Sequence, residues 1–126
     1  MIEYPGFSIY EDLPDPNTIL KDSLIVYDWI KSKFYIVDDH IFICGRSLGT
    51  SPAIYLSSTR NPNALFLISP FTTLKNSNNG YTIRYFIEDI FKSYEYIKYI
   101  RCPVLLIHGK KDKFIDYYLL KYYFQK

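Results

Sequence analysis

The sequence predicts an α/β fold with a mostly parallel sheet and helices on both faces. Three short runs of apolar, β-type residues support this prediction, because continuous apolar runs are typical of strands buried on both faces. These runs are residues 41–44, 64–68 and 103–109. A helical stretch at residues 48–58 separates the first two runs. A strand, a helix and a second strand at this spacing indicate a βαβ crossover, which makes the two strands parallel.

A covering helix is predicted before the first run. Asp15 is a suitable N-cap, and Pro16 suits the first helical position, where the missing N–H costs little. Apolar residues then recur at three- and four-residue spacing to about Phe34, which predicts one apolar face along this helix. Residues 1–4 suggest a very short β-type stub that ends in a turn.

The stretch between the second and third runs is less regular. Residues 71–80 are polar and rich in turn-forming residues, which predicts a loop. Residues 81–100 carry aromatic and apolar side chains at mixed spacing, which predicts one or two short helices.

Length, composition and charge narrow the class of protein. The chain has 126 residues, so we expect a single domain over residues 1–126. Hydrophobic residues make up 48% and charged residues 22%, which is typical of a globular domain. The net charge is +2 and the lysines and arginines form no stripe, so we expect no nucleic-acid partner. No apolar run reaches about 18 residues, so no transmembrane segment is predicted.

Neither cofactor nor metal is predicted. Cys44 and Cys102 lie in or beside apolar runs and are interpreted as small core residues, which suits a reducing, cytoplasmic location. Asp38, Asp39 and His40 could suggest metal ligands, but the side chains of adjacent residues on a turn diverge. We therefore interpret these three residues as a solvated turn.

The motif that carries chemistry is Gly45-Arg46-Ser47-Leu48-Gly49, directly after the first apolar run. A strand that enters a helix through a sharp turn leaves room only for small residues beside a central serine. The serine hydroxyl then stands exposed at the edge of the sheet. The motif alone arises often by chance, but here strand, turn and helix follow in the required order. We therefore interpret Ser47 as a candidate nucleophile.

An activated serine needs a base and an acid that orients the base. Asp112 follows the third apolar run, and the carboxyl ends of strands are where catalytic groups collect in open α/β sheets. Ser47 precedes Asp112 along the chain, and in serine enzymes built on this type of sheet the nucleophile likewise precedes the acid. Asp116 is a less favoured alternative because it lies further from the strand end. The backbone N–H of Leu48 would donate to an oxyanion.

The base is not evident. The sequence has two histidines. His40 precedes the serine and belongs to the wrong end of its strand. His108 lies at the end of the third strand, before the acid, so a structural or pocket-lining role is favoured over general base catalysis.

Several motifs in one order resemble the α/β-hydrolase-domain proteins of the ABHD17 and ABHD13 type, which include the Bem46-like proteins. The match covers almost the whole chain. The motifs are Glu3-Tyr4-Pro5-Gly6-Phe7, Gly45 to Gly49 with Thr50, Ser69-Pro70-Phe71, and Cys102-Pro103 through His108-Gly109 to Asp112, Ile115 and Asp116. The resemblance implies a serine hydrolase of acyl esters or acyl thioesters, with Ser47 as nucleophile and Asp112 as the triad acid. The best understood branch removes fatty acyl groups from protein cysteines.

The chain also departs from that family. Members carry further strands and a His-Gly loop upstream, and a final strand with the triad histidine downstream. The lipid-anchored branch, which is membrane-peripheral, has a cysteine-rich N-terminus that this chain does not show. We therefore expect the central part of an α/β-hydrolase domain, with impaired activity.

Two alternatives to a working enzyme stay open. The chain could be a non-catalytic binding module that uses the inherited pocket, or a partial gene product. Open sheet edges could also let the chain self-associate.

Overall fold

A computed structural model describes residues 2–11, 13–70 and 93–112. The predicted loop over residues 71–80, most of the following segment and Asp116 lie outside the described residues. Helices and strands alternate in the described part. They are α1 (Pro16–Phe34), β1 (Phe42–Arg46), α2 (Thr50–Thr59), β2 (Ala64–Ile68), α3 (Ser93–Ile97) and β3 (Val104–Ile107), with short 3-10 turns at Asp38–His40 and Ser47–Gly49.

The described strands form one parallel sheet in the order β1-β2-β3. Arg46 at the end of β1 lies opposite Ile68, and Ile68 lies opposite Ile107. The three strands therefore end at the same level. The prediction of an α/β fold with a parallel sheet is confirmed, and the residues that follow each strand lie along one edge.

Helix α1 begins and ends where the sequence predicts. The Asp15 carboxylate accepts a hydrogen bond of 2.8 Å from the backbone N–H of Thr18, which satisfies one of the free donors of the first turn. The helix ends at Phe34, followed by Tyr35 in the left-handed conformation. Of the helices that the structure describes, none combines the length and the apolar content needed to cross a bilayer.

The core lies between the sheet and helix α2. Ile54 of α2 and Leu65 and Leu67 of β2 are completely buried. Helices α1 and α3 pack against α2 from either end of the chain. Burial of these aliphatic side chains, each contributing roughly 1.5–3 kcal/mol, holds α2 firmly against the strands that carry the motif.

One face of β1 is open, which corrects part of the sequence interpretation. Its residues alternate between exposed and buried, and Phe42 and Cys44 are exposed. The interpretation of Cys44 as a core residue is therefore wrong. Ile43 and Gly45 point towards α2 and are buried, because the described helices pack on that side of the sheet.

The N-terminal stub is not a strand. Residues 2–4 have no regular secondary structure in the described part, and the chain folds into consecutive turns instead. The backbone N–H of Phe7 donates to the carbonyl of Tyr4, and that of Gly6 donates to the carbonyl of Tyr10, each over 3.0 Å. Gly6 has a φ of 80°, which the left-handed region allows glycine at no steric cost.

Asp38 lies in the predicted turn before β1 and is partly exposed, but its carboxylate also has two side-chain partners on α1. It accepts hydrogen bonds from the hydroxyl of Tyr27 and, over 2.7 Å, from the ammonium of Lys31. The Lys31 hydrogen bond, followed by that from Tyr27, lowers the pKa of Asp38. Burial, followed by the same Asp38 contact, raises the pKa of Tyr27. This cluster ties α1 to the turn that leads into β1.

Candidate active site

Ser47 occupies a strained position at the point where β1 gives way to α2. Its φ is 49°, in the left-handed region that non-glycine residues rarely adopt, and its side chain is exposed. Such a conformation costs of order 1–3 kcal/mol and persists only where the surrounding structure imposes it. The geometry is that of a nucleophile elbow, which lifts the serine hydroxyl out of the sheet.

Gly45 is required because helix α2 lies directly against it. A Cβ at this position would lie 2.5 Å from the carbonyl oxygen of Gly49, 2.7 Å from the Cβ of Ala53 and 2.8 Å from the Cα of Thr50. None of these atoms belongs to a flexible side chain that could move away. The absence of a side chain at Gly45 is therefore what lets the helix start so close to the strand.

Thr50 closes the turn from the helix side. Its side chain is completely buried, and its hydroxyl donates a hydrogen bond of 2.6 Å to the carbonyl of Ser47. The backbone N–H of Thr50 donates to the same carbonyl. These two hydrogen bonds hold the backbone of Ser47 in its unfavourable conformation.

A buried contact between serines joins the elbow helix to α3. The hydroxyl of Ser93 donates to that of Ser51 over 2.9 Å, and both residues are buried. No local pattern in the sequence indicates this pair, because 42 positions separate the two residues. The contact satisfies polar groups that would be costly to bury alone.

Leu48 begins the 3-10 turn between Ser47 and α2 and is partly buried. Backbone N–H groups at the start of a helical segment have no intrahelical acceptor, so they favour negative charge nearby. The role of the Leu48 N–H as an oxyanion donor stays a prediction.

The end of β3 brings His108 and Asp112 together. The backbone N–H of Asp112 donates to the carbonyl of Gly109 over 3.0 Å, which closes a turn after the strand. The Nε2 atom of His108 lies 3.6 Å from a carboxylate oxygen of Asp112. The side chain of His108 is only 1% exposed and that of Asp112 is 20% exposed. His108 therefore sits behind the acid, in the interior.

Strand β2 separates the two candidate catalytic residues. Ser47 follows β1 and Asp112 follows the turn after β3, on the same edge of the sheet. Neighbouring strands lie about 4.8 Å apart, so β1 and β3 are about 10 Å apart. His40 lies in the turn before β1, at the opposite edge, and is exposed.

Tyr4 also reaches the elbow, which sequence reasoning missed. Its hydroxyl oxygen lies 3.3 Å from the point that a Cβ of Gly49 would occupy. Burial raises the pKa of Tyr4. The sequence predicts Tyr4 at the end of a short β-type stub, 43 positions before the serine, and only the packing of the N-terminal turns reveals the contact.

Similar proteins are known for most of the chain. No model of a known protein family matches the chain. The α/β hydrolase domain-containing protein aho-3 of Caenorhabditis elegans is 30% identical over 115 residues, which are 91% of this chain and 35% of that protein. The α/β hydrolase domain-containing protein 17B of Xenopus laevis is 28% identical over 115 residues, 91% of this chain and 40% of that protein. Over most of its length, the chain is similar to α/β-hydrolase domain-containing proteins.

A third relative and two solved structures agree with this assignment. Lysophosphatidylserine lipase ABHD12 of Xenopus tropicalis is 28% identical over an alignment of 141 positions, gaps included, which covers 94% of this chain and 36% of that protein. A sugar hydrolase (YeeB) from Lactococcus lactis has a TM-score of 0.69 at 17% identity, over 95% of this chain and 52% of that one. An acylaminoacyl peptidase from Pyrococcus horikoshii has a TM-score of 0.63 at 16% identity, over 83% of this chain and 20% of that one.

The structural likenesses show that the chain has the α/β-hydrolase fold. The sequence relatives confirm the resemblance to the ABHD17 type. The chain spans between 35% and 40% of the length of these curated relatives.

Proposed function

We propose that this chain is a serine hydrolase of carboxylic esters or acyl thioesters, with Ser47 as the nucleophile. The observation that carries the proposal is the left-handed backbone of Ser47 at the carboxyl edge of a parallel sheet, held there by Thr50. Relatives named as a lipase and as hydrolase-domain proteins support the reaction class.

The proposed reaction is acyl transfer through a covalent intermediate. The Oγ of Ser47 forms a bond to the acyl carbon while a general base takes the hydroxyl proton. The N–H of Leu48 donates to the oxygen that becomes negative. The bond to the leaving oxygen or sulfur then breaks, and the leaving group takes the proton. Water attacks the acyl-serine in the same way and releases the acid.

Asp112 is the proposed acid that orients the base. Its carboxylate lies on the same edge as Ser47, and a gap the width of β2 separates the two positions. An imidazole in that gap would donate to Asp112 and accept the proton of Ser47. We propose neither histidine of this chain as that base, since His40 lies at the opposite edge of the sheet and the imidazole of His108 is buried. We therefore propose low intrinsic activity for this chain.

A fluorophosphonate probe tests the nucleophile. We expect slow labelling of the protein that disappears in Ser47→Ala, because the reagent forms its bond to the serine oxygen and releases fluoride. Ser69→Ala is the matched control, since Ser69 also follows a strand and has a φ of 48°. Labelling that persists in Ser47→Ala would overturn the proposal. Rapid labelling of the unaltered protein would instead show that a base is already in place.

A second candidate is a non-catalytic binding module at the same edge of the sheet. The position of His40 at the opposite edge and the burial of the His108 imidazole favour this alternative. The two functions differ in one measurement. A partner of a binding module would bind the Ser47→Ala protein as well as the unaltered one, whereas an enzyme would lose its reaction.

We also propose that residues 1–126 form a single domain and that the protein is cytoplasmic. We further propose that two copies of this domain associate through the open edge of their sheets. Among the described residues, β1 pairs with β2 alone, and its exposed Phe42 leaves an apolar edge strand of the kind that recruits further strands. Light scattering should therefore give a mass above that of one chain, rising with protein concentration. A single-chain mass at high concentration would contradict self-association.

A further inference from the structure

Tyr4 is held over the second glycine of the elbow by its own turn. Pro5 is completely buried, and the hydrogen bond of 3.0 Å from Phe7 to the Tyr4 carbonyl closes the turn. The phenol oxygen then lies 3.3 Å from the point that a side chain on Gly49 would first occupy. A Cβ on Gly49 would therefore be in tight contact with the phenol oxygen. Two separate parts of the chain meet here, within two residues of Ser47.

The phenol of Tyr4 is a hydrogen-bond donor that the fold leaves available. The ring is partly buried, and burial raises its pKa, so the phenol keeps its proton throughout the neutral range. Its hydroxyl makes no hydrogen bond within the part of the chain that the structure describes, whereas the hydroxyls of Tyr10 and Tyr27 donate to Asp22 and Asp38.

The elbow is also where negative charge develops in acyl transfer. The N–H of Leu48 supplies one donor from the start of the helix, and oxyanions are stabilised best by more than one preorganised donor. Tyr4 approaches the elbow from the N-terminal turn, a separate segment. Because its pKa is raised, the phenol stays neutral and can donate a hydrogen bond. Unlike a charged donor, it needs no counter-ion in the partly buried site.

We propose that the hydroxyl of Tyr4 donates a hydrogen bond to the acyl oxygen of the substrate at the elbow, alongside the N–H of Leu48. This role rests on the proposed serine hydrolase function. The phenol takes no part in proton transfer, so it keeps its proton through the reaction and acts on the developing charge alone.

The test is the rate of fluorophosphonate labelling, because the phosphoryl oxygen of the reagent gains charge as the serine attacks. Tyr4→Phe removes the hydroxyl and keeps the ring, so we expect labelling to slow by at least about 10-fold with no change in thermal unfolding. Tyr35→Phe is the matched control and should label at the unaltered rate, since Tyr35 is 93% exposed.

The outcomes separate this inference from the function it rests on. Labelling of Tyr4→Phe at the unaltered rate would overturn the role of Tyr4 and leave Ser47 as the nucleophile. Slower labelling accompanied by a lower unfolding temperature would also overturn it, since that result indicates packing alone. An unaltered protein without any Ser47-dependent labelling would overturn the proposed function, and the role of Tyr4 with it.

Discussion

Replacing Gly45 with alanine is expected to destabilise the protein by about 3 kcal/mol, the upper part of the range for overpacking a close-packed interior. The added Cβ would meet three atoms at 2.8 Å or less, all of them backbone atoms or a Cβ. Relief therefore requires α2 to move away from β1, and α2 carries the completely buried Ile54. We expect the unfolding temperature to fall by roughly 10 °C for a domain of this size.

Gly109 provides the matched control for this substitution. A Cβ at Gly109 would meet nothing within 4 Å, and its φ is not in the left-handed region. Gly109→Ala should therefore leave the unfolding temperature within about 2 °C of the unaltered value, as ordinary surface substitutions do. Failure of Gly45→Ala to fold agrees with the expectation. An unchanged unfolding temperature for Gly45→Ala would contradict the packing of α2 against β1.

Local signals in the sequence predicted the scaffold well. Asp15 and Pro16 marked the start of α1 because capping depends only on neighbouring residues. The apolar run at Ala64–Ile68 gave the bounds of β2, since a central strand is apolar along its whole length. The elbow was predictable because the glycines that it needs lie within two residues of Ser47.

Tertiary contacts explain what the sequence did not predict. Cys44 belongs to an apolar run, but which face of a strand is covered depends on helices elsewhere in the chain. Asp38 lies beside other polar residues, and only the fold brings the hydroxyl of Tyr27 to it. The approach of Tyr4 to Gly49 depends on how the N-terminal turn packs.

The second large effect concerns the base that would activate Ser47. Free imidazole should accelerate Ser47-dependent labelling by about 10-fold, a part of the 100-fold or more that a positioned base contributes. Neutral imidazole accepts the hydroxyl proton, and the Asp112 carboxylate stabilises the imidazolium that forms. The acceleration should increase between about pH 6 and pH 8, because only the neutral form of an imidazole is a base. The measurement is the labelling rate against imidazole concentration.

Variants of the acids decide whether Asp112 has this role. Asp112→Asn should lose most of the acceleration, because an amide cannot stabilise imidazolium as a carboxylate does. Asp39→Asn removes an exposed acid at the opposite edge of the sheet and should keep the full acceleration. If only Asp116→Asn loses the acceleration, the acid that stabilises the imidazolium is Asp116 and not Asp112. Equal acceleration in Asp112→Asn and the unaltered protein would mean that imidazole acts from bulk solvent, and that the gap beside Ser47 does not bind a base.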